Sequence, residues 1–255
     1  MILNPTELKE FLDEKARQYN RPEFIESDPI SIPHLFSKKE DIEISAFLTS
    51  IISWGQRKII IRNARNLISL MDDSPHDFIL QHTHQDLRRF SAFVHRTFLP
   101  SDCAFFIGAL KQIYQKDGLE SYFQNLNSPE QTENSLTLFR NDFFGKRHPS
   151  RLRKHLPDPK AGSAAKRMNM FLRWMIRKDN HGVDFGIWQN NSSKHLLCPL
   201  DLHSGRVSRK LGLLIRTSND WKAVLELTAK LREFDPEDPV KYDFALFGLG
   251  VFEKF

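Results

Sequence analysis

Cys198-Pro-Leu-Asp-Leu-His-Ser-Gly-Arg-Val-Ser-Arg-Lys-Leu-Gly-Leu213 is the stretch on which the reading of this chain turns. It sets one carboxylate, Asp201, directly after a proline-stiffened entry and directly before an amphipathic segment rich in Arg and Lys. Asp is a favoured helix N-cap because its carboxylate accepts from backbone N–H groups that have no partner inside the helix, so a helix is expected from about Leu202. Upstream, Gly162-Ser-Ala-Ala-Lys-Arg-Met-Asn-Met-Phe-Leu-Arg-Trp174 sets one lysine, Lys166, in the first turn of another helix. The helix dipole and the neighbouring cations there disfavour an ammonium and favour the uncharged amine, the form that a Schiff-base nucleophile requires. Each residue also has a plainer role, Lys166 as a solvated cation on a basic face and Asp201 as a cap and nothing more.

Pro199, Asp201, His203, Arg206, Val207, Arg209, Leu211 and Gly212 resemble the Asp-bearing signature of the helix-hairpin-helix DNA glycosylases, endonuclease III among them. Lys166 to Arg173 resembles the segment that carries the Schiff-base lysine in endonuclease III and in the smaller 8-oxoguanine DNA glycosylases. Leu156-Pro157 followed by Gly162-Ser163-Ala164-Ala165-Lys166 resembles their Leu-Pro-Gly-x-Gly-x-Lys hairpin, with Ala164 where a second glycine is usual and extra residues after the proline. The likeness runs from about Asp41 to Gly250, and the whole chain also resembles a bacterial family with no assigned role.

The resemblance implies an all-α, two-lobed glycosylase-like fold. One lobe is expected from residues 1–45 with about 215–255, and the other from about 46–214, containing the hairpin 155–175 and the Asp motif 198–212. It implies a base-excision repair DNA glycosylase with AP lyase activity, acting on a flipped damaged base in double-stranded DNA, with a lean to an oxidised purine such as 8-oxoguanine. Lys166 would attack the sugar, and Asp201 would support positive charge on the deoxyribose and assist proton transfer. Gln56, Lys160, Gly162, Arg167, His203 and Arg206 are expected at the DNA, Gln56 at the gap left by the displaced base and Gly162 where backbone approaches phosphate. The alternative is a non-catalytic helix-hairpin-helix DNA-binding protein, favoured by the altered hairpin and by a long segment, Asp179 to Lys194, between the lysine and the aspartate. No cofactor and no metal are expected, and the chain is expected to be a monomer.

The bulk numbers agree with a folded, polyanion-binding protein. The chain has 255 residues, 40% of them hydrophobic, with a formal net charge of +5, and its pI is about 9.2, enough length for a full core and a mild pointer to a polyanion. Between Lys146 and Lys178 there are eleven Lys and Arg against one acid, Asp158, so the rest of the chain has a negative balance. A basic strip of that kind beside a reactive amine suits a phosphate backbone. Two cysteines, Cys103 and Cys198, exclude a four-cysteine cluster such as the iron–sulfur centre of endonuclease III. The N-terminus has no apolar signal core and no apolar run approaches a membrane span, so a soluble, cytoplasmic, nucleoid-associated protein is expected.

Along the chain, Asn4-Pro5 with Glu7 reads as a capped helix start, and the spacing predicts a helix to about Tyr19. Arg21 to Pro33 reads as an ordered loop. Ile44, Phe47, Leu48, Ile51 and Ile52 mark a buried stripe on a helix opened by Asp41, and Ser53 to Lys58 interrupts it before Ile59 to Met71. Ser74 to Pro100 reads as short helical pieces whose His82, His84 and His95 are surface histidines. Helices are expected after Ser101-Asp102 and over Ser135 to Phe144, with 21 phenylalanines mostly in the core. Ser218-Asn219-Asp220 caps a helix from Trp221, and Asp238-Pro239 opens the last one, whose Asp243 reads as either a pocket acid or a surface one. Phe185 and Trp188 are candidates for base stacking or for core filling.

Overall fold

The structure, a computed structural model, describes residues 4–145 and 148–255. The described residues form α-helices, short 3-10 turns and two isolated β-bridges, with no strand among them. The all-α expectation is met. The helices are α1 (Pro5–Tyr19), α2 (Pro22–Glu26), α3 (Lys39–Ile52), α4 (Arg57–Ser69), α5 (Pro75–Gln81), α6 (Pro100–Tyr114), α7 (Pro129–Phe144), α8 (Lys166–Ile176), α9 (Leu202–Lys210), α10 (Trp221–Phe234) and α11 (Tyr242–Val251). Among the described residues no helix is long and apolar enough to cross a membrane.

The chain divides into two compact units, the first made of Met1–Phe24, Asn125–Thr137 and Pro157–Phe255, the second of Ile25–Gln124 and Leu138–Leu156. The expected lobes divided near 45 and 215. The observed first unit instead takes in the hairpin and the Asp motif together with α1 and the C-terminal helices.

In the first unit α11 lies between α1 and α9. α1 starts where its sequence asks, with Asn4 and Glu7 closing a capping box ahead of Pro5. Two glycines permit the close approach of α11. A Cβ on Gly248 would stand 2.1 Å from the Tyr19 ring, and one on Gly250 would stand 3.0 Å from Cβ of His203 and 3.2 Å from Val207. α8 is buried from Met168 to Ile176, arginine included.

The second unit is organised on α3, buried from Ile42 to Ile52 and packed against α4 and α5. Phe47 meets Phe106, Phe139 and Phe143 at ring separations of 6.4, 5.6 and 5.6 Å. Each ring in such a cluster contributes about 3–5 kcal/mol against truncation to Ala. The expected loop Arg21 to Pro33 contains α2 and the 3-10 turn Pro29–Ser31. α7 begins at Pro129, not at Ser135, because proline at the first helical position starts a turn that apolar spacing does not reveal. His95 is buried, not on the surface, with Nδ1 3.0 Å from the Asn63 amide and its ring 6.2 Å from Trp54 in a stacked arrangement. Burial lowers its pKa.

Candidate active site

The hairpin ahead of α8 is made by a 3-10 turn, Pro159–Ala161, capped by the Asp158 carboxylate on the Lys160 N–H at 3.1 Å. Gly162 follows at φ +86°, a left-handed geometry in which glycine is unstrained. Ala165, buried, then takes φ +46°, which costs a residue with a Cβ about 1 kcal/mol. Its carbonyl accepts from Met168 and Asn169, and the Asn169 amide donates to the Ala164 carbonyl at 3.2 Å. Lys166 is therefore the first residue of α8, held by a strained turn and half-buried. Its Nζ lies 3.3 Å from Sδ of Met170, one turn on, and it forms no ion pair among the described residues.

Asp201 caps α9. Its Oδ1 accepts from the N–H groups of His203 at 2.8 Å and Ser204 at 3.0 Å, and from the Ser204 hydroxyl at 3.3 Å, while Ser204 Oγ accepts from the Asp201 N–H at 2.9 Å. Oδ2 makes no hydrogen bond among the described residues, so a carboxylate fixed in direction by its cap keeps one oxygen for another partner.

Asp243, in the first turn of α11, is buried. Lys166, Met170 and Arg173 stand at i, i+4 and i+7 on one face of α8, and Arg173 is ion-paired to Asp243. Burial pushes the Asp243 carboxyl up to about 6; the charges of Arg173 and Lys166 pull it down, and those of Asp201 and Asp184 push it up. The sequence left Asp243 open. The available signal was the seven-residue spacing of Lys166 and Arg173, which sets both cations on one face of α8.

The basic strip expected between Lys146 and Lys178 is not one solvated face. Lys146 and Arg147 lie outside the described residues. Arg151 belongs to the second unit and pairs with buried Asp102 at 2.5 Å. Arg173 and Arg177 are interior: Arg173 pairs with Asp184 at 3.2 Å as well as with Asp243, and Arg177 with Asp179, Asp184 and Asp238 at 2.8, 3.0 and 2.8 Å. Both guanidinium groups also lie over the Phe244 ring, at 4.4 and 5.4 Å. Burial works against the Arg177 charge, and the surrounding carboxylates more than offset it, so its pKa is raised. Arg153, Lys154, Lys160 and Lys178 are exposed, and Arg167 is half-buried, its pKa drawn down to about 10 by burial.

The long segment from Asp179 to Lys194 packs on α8. It folds onto the C-terminal end of α8, Phe185 and Trp188 donating to the carbonyls of Trp174 and Met175 at 2.8 and 3.0 Å, groups that a helix end otherwise leaves unpaired. Trp188 is core filling, fully buried with its ring 5.4 Å from that of Phe171. Among the other expected DNA contacts, Gly162, His203 and Arg206 are exposed in the first unit, and Gln56 is exposed in the second, at the cap position of α4.

Among the described residues no cluster of His, Cys, Asp and Glu has metal-binding geometry. No curated protein and no solved structure matches the chain. Residues 28–252 match a family whose description is "Protein of unknown function (DUF2400)".

Proposed function

The chain belongs to the DUF2400 family, and from its own site residues we propose a helix-hairpin-helix DNA glycosylase with AP lyase activity, acting on a flipped damaged base in double-stranded DNA. An oxidised purine such as 8-oxoguanine is the first candidate substrate. The observation that carries the reading is geometric: the segment ahead of α10 bonds the hairpin that presents Lys166, from the Trp221 N–H to the Gly162 carbonyl at 3.1 Å, and bonds the Asp201 carbonyl through the Asn219 amide at 2.8 Å. A nucleophilic amine and a carboxylate with a free oxygen in one neighbourhood of the first unit are what base removal needs.

In the reaction, the Lys166 lone pair forms a bond to C1′ of the deoxyribose, and the glycosidic C–N bond breaks with its electron pair going to the base. Asp201 stabilises the positive charge on the sugar as this bond breaks, accepts the proton that Nζ loses, and passes it to O4′ as the C1′–O4′ bond breaks and the ring opens to an imine. Removal of a C2′ proton then sends an electron pair through the imine and expels the 3′ phosphate, nicking the strand. Water finally hydrolyses the imine and returns the free lysine. Lys160, Arg167, His203 and Arg206 serve the phosphate backbone in this reading.

Borohydride reduces the imine to a stable amine, so trapping on an 8-oxoguanine or abasic duplex tests the proposal. The expected result is a covalent adduct with wild-type protein, none with Lys166→Gln, and a rate lower by about 100-fold or more with Asp201→Asn. No wild-type adduct, or an undiminished one in Lys166→Gln, removes the lyase. Salt-dependent duplex binding without base release would leave a non-catalytic DNA-binding protein in its place.

A further inference from the structure

The loop between α9 and α10 touches both halves of the proposed site. At one end, the Trp221 N–H donates to the Gly162 carbonyl at 3.1 Å, and Asp220 forms an antiparallel β-bridge with Ser163, so the loop is stitched into the hairpin that presents Lys166. At the other end, one residue away, the Asn219 side-chain amide donates to the main-chain carbonyl of Asp201 at 2.8 Å. Asn219 is held in turn. Its Oδ1 accepts from Nη2 of Arg209 at 2.6 Å, and Nε of Arg209 donates to the Arg216 carbonyl at 2.8 Å. Arg216 closes the loop on Asp220 with Nε 2.7 Å from Oδ1 and Nη2 2.5 Å from Oδ2.

Gly205 makes room for this. A Cβ there would stand 2.7 Å from Oδ1 and 2.9 Å from Nδ2 of Asn219, too close for either atom to stay. The glycine is at an ordinary helical φ inside α9, where it costs about 1 kcal/mol relative to Ala, so space for the Asn219 amide is what it contributes.

We infer that Asn219 is a positioning residue for Asp201: it ties the N-cap of α9 to the Lys166 hairpin through a link one residue long and so fixes the spacing of amine and carboxylate. The inference rests on the catalytic reading above, and errors of about 1 Å in such spacing cost on the order of 100-fold in rate. A side chain without an amide donor at position 219 would cut the tie between Asp201 and the hairpin and loosen the turn that Asp201 caps.

The test compares full-length wild type with Asn219→Ala, Gly205→Ala and Asn219→Gln, using amide hydrogen exchange, duplex affinity and single-turnover borohydride trapping on an abasic duplex. In Asn219→Ala, exchange at the His203 and Ser204 amides, which Asp201 caps, accelerates about tenfold. Exchange inside α10 and duplex affinity stay unchanged, and the trapping rate falls about tenfold or more. Gly205→Ala repeats the pattern by displacing Asn219, and Asn219→Gln, which keeps the donor on a longer arm, recovers part of both changes. Unchanged exchange at His203 and Ser204 overturns the inference, as does faster exchange with an undiminished trapping rate. If wild-type protein traps nothing, the reaction proposed above fails, and the exchange pattern alone supports or overturns the tie.

Discussion

Asp243 has a charge state set by two opposed effects, and the outcome is measurable. Burial favours the protonated carboxyl, and Arg173 and Lys166 favour the carboxylate; burial prevails, and the group titrates at about 6 against 3.8 for an unhindered Asp. The folded chain therefore holds a proton on this carboxyl between pH 3.8 and about 6 that the unfolded chain has released. Over that interval stability falls as pH rises, and above about 6 both states are ionised and the contribution stops changing. Asp243→Asn removes the titration and leaves a neutral side chain of similar shape. Urea midpoints measured for both proteins should show wild type losing stability relative to Asp243→Asn across the interval, with no further loss above it. A difference independent of pH would mean that Arg173 keeps the carboxylate ionised throughout.

At the scale of elements, packing in the first unit depends on where α11 lacks a side chain. Gly248→Ala places a methyl within 2.1 to 2.6 Å of Tyr19 ring atoms, and that ring is stacked on Phe252 at 5.4 Å with its hydroxyl on Glu253, so it cannot swing away freely. The expected cost is about 1–3 kcal/mol. Gly108 of α6 is the control: no atom lies within 4 Å of its added Cβ, and Gly108→Ala should stabilise by about 0.5–1 kcal/mol through helix propensity. Opposite shifts in thermal midpoint would support this account of α11, whereas equal shifts would contradict it. Elements whose ends carry local chemistry were legible in the sequence: α1 from Asn4, Pro5 and Glu7, α9 from Asp201, α10 from Asp220. The start of α8 at Lys166 was legible too, from the turn before it. The interior of α8 was not. Helical spacing treats Arg173 and Arg177 as cations facing water, and their partners Asp184, Asp238 and Asp243 come from later segments that only the folded chain brings together. For the same reason the Asn219 tie between the Lys166 hairpin and the cap of α9 could not be read from the sequence.

For the molecule as a whole, the proposed partner makes a demand on charge. A net +5 counts every cation equally, yet Arg173 and Arg177 are neutralised inside the first unit and cannot displace counterions from DNA. The salt dependence of duplex binding should therefore follow the exposed cations of the hairpin and of α9, and not the eleven counted along the strip. Each phosphate contact contributes a slope of about −0.9 in log K against log salt. Lys160→Gln and Arg206→Gln, both at exposed positions, should each reduce the slope by about that amount and weaken affinity to all duplexes alike. Lys9→Gln is the comparison. Lys9 is on α1 with its Nζ 2.5 Å from Asp13, and its loss should leave the slope where it was. Fluorescence anisotropy titrations at a series of salt concentrations separate the cases. If Lys9→Gln changes the slope as much as Lys160→Gln does, binding is a diffuse effect of net charge, and the hairpin face has no special claim to the phosphate backbone.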